Sequence, residues 1–163
     1  MRDKLEEALR LVAEINPEAR LVRIIGIGVH EDGTVHLGNS RDYESRWEYA
    51  FKDDKDGESP PVCITVLYYN ADERLIDENA GNVPWDMEFF DEEIIDELKD
   101  SDELAEIFAD EDDFKPLAGS GHDVILYTMR RALDPVAMIS NWKGQNLMLD
   151  PIGGEVIMGT ESE

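Results

Sequence analysis

The stretch PVAMISNWKGQNLMLDPIGGEVI, Pro135 to Ile157, limits the possible folds of this chain more than any other. It holds three apolar runs of strand length, at 135–142, 146–150 and 155–158. Lys143-Gly144 and Gly153-Gly154 separate them. Glycine-containing dipeptides between short apolar runs mark tight turns, so the segment predicts an antiparallel meander. Gly153-Gly154 is expected to supply the positive φ that such a turn needs.

A looser version of the same arrangement occurs earlier. Leu5, Ala8, Leu9, Val12 and Ile15 form one helical stripe, which predicts a helix over 2–15. Asn16-Pro17 ends it, because the residue before proline avoids the helical region. Residues 20–30 read as an apolar strand. Asp32-Gly33 reads as a two-residue hairpin turn, from which Thr34 to Gly38 returns antiparallel. That register pairs His30 with Val35 and Val29 with His36, and so sets His30 and His36 on opposite faces. Trp47, Tyr49 and Phe51 alternate with Glu48 and Ala50, the period of a strand. Residues 53–60 are polar loop, Val62 to Tyr69 a central strand, and 70–83 loop. Ile94, Ile95 and Leu98, then Leu104, Ala105 and Phe108, mark short helices near 91–98 and 101–109, with Ser101 as N-cap. Residues 122–131 add a strand.

The expected fold class is therefore α+β, with helices packed on one continuous antiparallel sheet or on two. Helix-then-strands occurs twice, as units at 1–70 and 91–163 joined by a loop at 71–90. The alternative is one α+β domain with a helix pair inserted midway.

The closing phrase LMLDPIGGEVI resembles the ending of the PepSY family. Leu147, Met148 and Leu149 form a hydrophobic strand, followed by Asp150, a tight turn containing Gly154, and then Glu155, Val156 and Ile157. Residues 91–158 carry the match, while 2–70 follow it in element order alone. The resemblance implies a cystatin-like α+β fold and a non-enzymatic inhibitory or regulatory binding role. It brings no catalytic residue with it.

Charge narrows the partners. Asp and Glu number 39 against 15 Lys and Arg, a formal charge of −24. Such a surface repels nucleic acid and anionic lipid and favours basic proteins or a saline habitat. Between Asp86 and Asp113, one lysine stands against 15 carboxylates, which leaves −14 over 28 positions. The outer face of that segment, Asp91, Glu92, Asp96, Glu103, Glu106, Asp112 and Asp113, is the candidate docking surface for a basic partner. The alternative is a merely solvated helix face. No apolar leader opens the chain and its apolar runs are only strand-length, so a cytoplasmic protein without a membrane span is expected, exported if a leader has been removed. Cys63 is the lone cysteine, which excludes an intramolecular disulfide.

Other chemistry is expected to be absent: no catalytic residues, no cofactor and no metal. Gly26-Ile27-Gly28 lies inside a strand rather than at a strand-to-helix turn, where glycines let the N-terminal helix approach the sheet. Cys63 sits in an apolar run, unsuited to a thiolate. Aligning Gly57 of Asp53-Asp54-Lys55-Asp56-Gly57 to a calcium-loop glycine puts Lys52 and Cys63 where carboxylates are needed. Trp47, Tyr49 and Phe51 fit a sheet face under a helix better than a ligand platform. Three functional readings remain. One is a non-catalytic regulatory or inhibitory binding module. Another is an acidic immunity-type or nucleic-acid-mimic protein that neutralises a basic partner. The last is a small-ligand carrier or enzyme with a helix–sheet pocket.

Overall fold

The computed structural model describes residues 1–38, 45–53, 62–70, 74–78, 87–129 and 134–160. Helix α1 (Arg2–Ile15) buries Leu5, Ala8 and Val12 of the predicted stripe. It ends at Asn16, whose φ of −148° and ψ of 98° are extended, as Pro17 demands. Four strands follow: β1 (Arg20–Ile27), β2 (Arg46–Asp53), β3 (Val62–Tyr68) and β4 (Arg74–Asp77). Helices α2 (Glu92–Glu97) and α3 (Ser101–Ala109) lead to β5 (Val124–Met129), β6 (Pro135–Ser140), β7 (Asn146–Leu149) and β8 (Val156–Thr160).

These strands make one antiparallel sheet in the order β4-β3-β2-β1-β5-β6-β7-β8. The fold is thus α+β and antiparallel, and the sheet is continuous. Each half of it is a meander that runs outward from the middle. The halves meet where β1 pairs with β5, from Arg23↔Thr128 to Ile27↔Val124.

Alternation along the strands gives the sheet two unlike faces. On one face Ile24, Tyr49, Phe51, Val66, Ile125, Tyr127, Ile139 and Leu149 join Leu5, Val12, Ile95, Leu104 and Phe108 in the main core. All three helices therefore anchor to the same side. Trp47, Tyr49 and Phe51 belong to this core, as the alternation predicts. The other face carries a smaller cluster, Val22, Ala50 and Cys63, under Met87 and Phe89. The chain then returns to the helical side, where the Phe90 N–H donates to the Leu21 carbonyl at 2.9 Å.

Several local expectations need correction. The turn after β1 has three loop residues, not two. His30 C=O accepts from Gly33 N–H, and His30 N–H donates to Thr34 C=O, both at 2.9 Å. Gly33 takes φ 76°. This is a type I turn closed by a left-handed glycine, and it moves the pairing by one residue, to Val29↔Val35. A one-residue slip exchanges faces. His30 and His36 accordingly share a face, with ring centroids 3.8 Å apart and planes 24° from parallel. Thr34–Gly38 makes that single bridge rather than a strand.

The segment 70–83, read as loop, contains β4, a four-residue edge strand whose only half-buried side chain is Ile76. So short a run shows no alternation. β3 is consequently next to the edge and not central. Gly26 makes room for the Trp47 ring rather than for the helix, since a Cβ there would lie 2.5 Å from Cζ3. The N-cap of α3 is Asp100, and Ser101 is its first helical residue. Of the calcium-loop residues, 54–57 lie outside the described residues.

In the turn before β8, Gly154 alone takes positive φ, 81°, and Gly153 does not. A Cβ at 154 would meet Ile107 Cδ1 at 2.9 Å and Lys99 Cε at 3.0 Å, both ends of flexible side chains. Backbone strain therefore dominates, and Gly154→Val is expected to cost about 1–3 kcal/mol. Urea unfolding checks this, and an unchanged midpoint would make the turn an ordinary one.

Candidate functional site

All seven predicted acidic residues are exposed: Asp91, Glu92 and Asp96 at α2, Glu103 and Glu106 on α3, and Asp112 and Asp113 beyond it. Two of them serve the fold. Asp91 pairs with Arg20 at 3.0 Å, and the Arg20 guanidinium lies 4.6 Å from the Phe89 ring centroid. Glu103 accepts from the Asp100 N–H at 2.9 Å and lies 3.6 Å from Lys99 Nζ. Among the described residues no lysine or arginine pairs with the side chains of Glu92, Asp96, Glu106, Asp112 or Asp113. Glu92 and Asp96 stand one turn apart on one side of α2.

The junction of α2 and α3 is built around Asp100. Its Oδ1 accepts from Ser101 N–H at 2.7 Å and lies 3.0 Å from the Met1 amino group, while Oδ2 accepts from Arg2 N–H at 3.2 Å. Together with Glu103 it forms a capping box. The Arg2 guanidinium donates to the carbonyls of Ile95, at 3.3 Å, and Leu98, at the C-terminal end of α2. A cation suits that end of a helix. The sequence signal for this cap is the pattern Asp100-x-x-Glu103, one residue before the expected Ser101.

Burial pushes the Asp100 carboxyl upward. The Ser101 and Arg2 N–H groups and the Met1 amino group outweigh that and hold it below its ordinary value of 3.8. A depressed carboxylate stabilises the fold fully above its unfolded pKa and loses that contribution as pH falls through the lower folded value. Melting temperatures of the wild type and Asp100→Asn should thus differ above about pH 4 and converge toward pH 2. The amide can keep the Ser101 contact but turns an NH2 toward the Arg2 N–H, so the pH dependence of the gap, rather than its size, reports the charge. A constant gap across that range would assign no role to ionisation.

Beside this face runs a groove between α1 and α2, about 560 Å³ in volume. Its walls include Leu9, Ala13, Leu21, Phe51, Phe90 and Ile95, and Glu18, Glu92 and Asp96 stand at its margin. The lining offers carboxylates, one guanidinium and apolar surface, but no hydroxyl, thiol or imidazole. Such a set suits cationic and apolar groups. The groove draws on α1, β1, β2, the segment before α2, and α2 itself, a combination that no local sequence pattern displays.

The remaining reactive groups are committed elsewhere. Cys63 is buried, and burial raises its thiol pKa against the opposite pull of Lys52. Tyr49 donates to the Met1 carbonyl at 2.8 Å and Tyr127 to the Lys99 carbonyl at 3.1 Å, and burial raises both phenols well above 10. Tyr68 is pushed up to about 12, again chiefly by burial. His122 is exposed, apart from the stacked pair. No group of three or more His, Cys, Asp or Glu among the described residues is arranged to hold a metal. No described helix is long and apolar enough to cross a membrane.

Comparison of the chain with protein-family models, curated proteins and solved structures finds no match.

Proposed function

We propose that this chain is a non-catalytic binding protein that docks a basic protein on the outer face of α2 and α3. The observation that carries this reading is the set of five exposed carboxylates, Glu92, Asp96, Glu106, Asp112 and Asp113, without a described cationic partner. Proteins normally intersperse charges of both signs, and a one-sign face draws an oppositely charged partner and speeds its capture. The helix-then-meander order, met once up to β4 and again up to β8, supports two PepSY-like units, although β4 extends the first beyond residue 70 into the 71–90 link. On that reading the role is regulatory or inhibitory; a cytoplasmic location is proposed separately, with export as the alternative. Neutralisation of a basic enzyme in the manner of an immunity protein is a special case of the same docking.

The test uses Glu92→Gln, Asp96→Asn, Glu106→Gln and Asp112→Asn together, leaving Glu103 to its capping role. Immobilised wild-type protein should retain a basic protein from lysate and release it in about 0.5 M salt, where charges are screened beyond roughly 4–5 Å. The variant, equally folded, should associate about tenfold more slowly and with weaker salt dependence. Equal retention by both proteins would reduce the acidic face to a solubility device.

A further inference from the structure

We propose that the groove between α1 and α2 seats an apolar side chain from a basic amphipathic helix of the partner, with that helix's lysines or arginines set against Glu18, Glu92 and Asp96. The proposal rests on the acidic-face reading and goes further, because a purely polycationic surface would need no groove. Two features of the groove name the occupant.

First, apolar side chains line the groove among the charged ones. Ala13 is exposed, and buried Phe51, Phe90 and Ile95 contribute to the walls. A volume of about 560 Å³ lies within the roughly 300–1,000 Å³ range in which proteins enclose compact ligands. Two helices form its sides, the geometry in which an amphipathic helix lays its apolar stripe.

Second, the charge is on both sides of the groove. Glu18 follows α1 on one side, and Glu92 and Asp96 line α2 on the other, all three exposed and without a described cation. The one cation in the lining, Arg20, is taken up by Asp91 and by the face of Phe89. The field over the groove is therefore negative along both walls. An occupant complementary to it has an apolar residue flanked by cations within a helical turn on each side. On a helix this is one apolar stripe with lysine or arginine at i±3 and i±4. An acidic or neutral amphipathic helix would bring repulsion or leave the carboxylates unmatched.

The probe is a fluorescent synthetic peptide of about 14 residues, long enough for a marginal helix, with leucines on one stripe and lysines elsewhere. A scrambled peptide of identical composition lacks the stripe but keeps the charge. Three proteins are compared: wild type, Ala13→Trp, which fills the groove from an exposed helix position, and the pair Glu92→Gln with Asp96→Asn. Wild type should bind the striped peptide at least about tenfold more tightly than the scrambled one, as burial of one apolar anchor requires. Ala13→Trp should erase that advantage and leave the scrambled affinity unchanged. The carboxylate pair should weaken both peptides. Ala13→Gln, with a polar side chain in the same place, should also erase it if tryptophan perturbs folding. An equal affinity for the two peptides on wild type, or a preference that survives at position 13, overturns the groove as the seat. If both peptides still weaken with the carboxylate pair, the acidic face stands without the groove. If neither peptide binds wild type, both readings fall.

Discussion

Asp123→Ala is expected to remove about 3–5 kcal/mol of stability, a large share of the roughly 5–15 kcal/mol that holds a domain of this size. Asp123 is completely buried. Its Oδ2 accepts from Ala118 N–H at 3.2 Å, Ser120 N–H at 2.8 Å and the Ser120 hydroxyl at 2.8 Å. Its Oδ1 accepts from Trp142 N–H at 2.9 Å. One carboxylate thus ties the loop before β5 to the turn between β6 and β7. Alanine would leave three part-buried backbone N–H groups and a hydroxyl without their acceptor, and each orphan costs about 1–3 kcal/mol unless water enters. Asp123→Asn keeps one oxygen but turns an NH2 toward other donors, so it should lie between alanine and wild type. Urea denaturation at constant m measures both. A loss below about 1 kcal/mol for alanine would mean that water replaces the carboxylate with little disturbance.

Gly33→Val should be nearly as damaging for a different reason. Gly33 sits at the tip of the turn after β1, pressed against the start of α3. A Cβ there would stand 2.3 Å from Ser101 O and 2.4 Å from Asp102 Cα, both backbone atoms. Positive φ adds its own strain, so about 3 kcal/mol or more is expected, or roughly 6–12 °C in Tm. Gly38 is the control. Its φ is 94°, yet a Cβ would meet nothing nearer than Asn70 Oδ1 at 3.8 Å. Gly38→Ala should therefore show strain alone, about 1 kcal/mol. Equal losses for Gly33→Ala and Gly38→Ala would show that the turn tip does not bear on α3.

The contrast between those glycines also shows what the sequence leaves unwritten. Periodicity located α1 and β2, because each buries a face with its own period, while glycine-containing turns marked the β6-β7-β8 meander, whose last strand lies exposed. The turn after β1 escaped, since Asp32-Gly33 suits both a two-residue and a three-residue loop. The choice between them rests on tertiary contacts to α3, and it decided on which face His36 lies. β4 escaped because RLID has only one half-buried side chain. The exposure of the acidic residues was legible, as helical stripes put Ile95, Leu104 and Phe108 inward and leave carboxylates outside. Which carboxylates serve the fold was not, because Arg20 reaches Asp91 across 71 positions. The groove depends on still more distant neighbours.

The seam between β1 and β5 has one more consequence. Every pairing across it joins residues about a hundred positions apart, whereas within each meander pairing is between consecutive strands. In connectivity the sheet is two locally closed ribbons held edge to edge, and one covalent link runs from β4 to α2. A chain severed in this link would keep every strand pair of each ribbon and lose only the high effective concentration of one piece near the other. Arg20 to Asp91 and Arg2 to the end of α2 would still pull the pieces into register. The intact molecule thus has the bonding pattern of a tethered heterodimer.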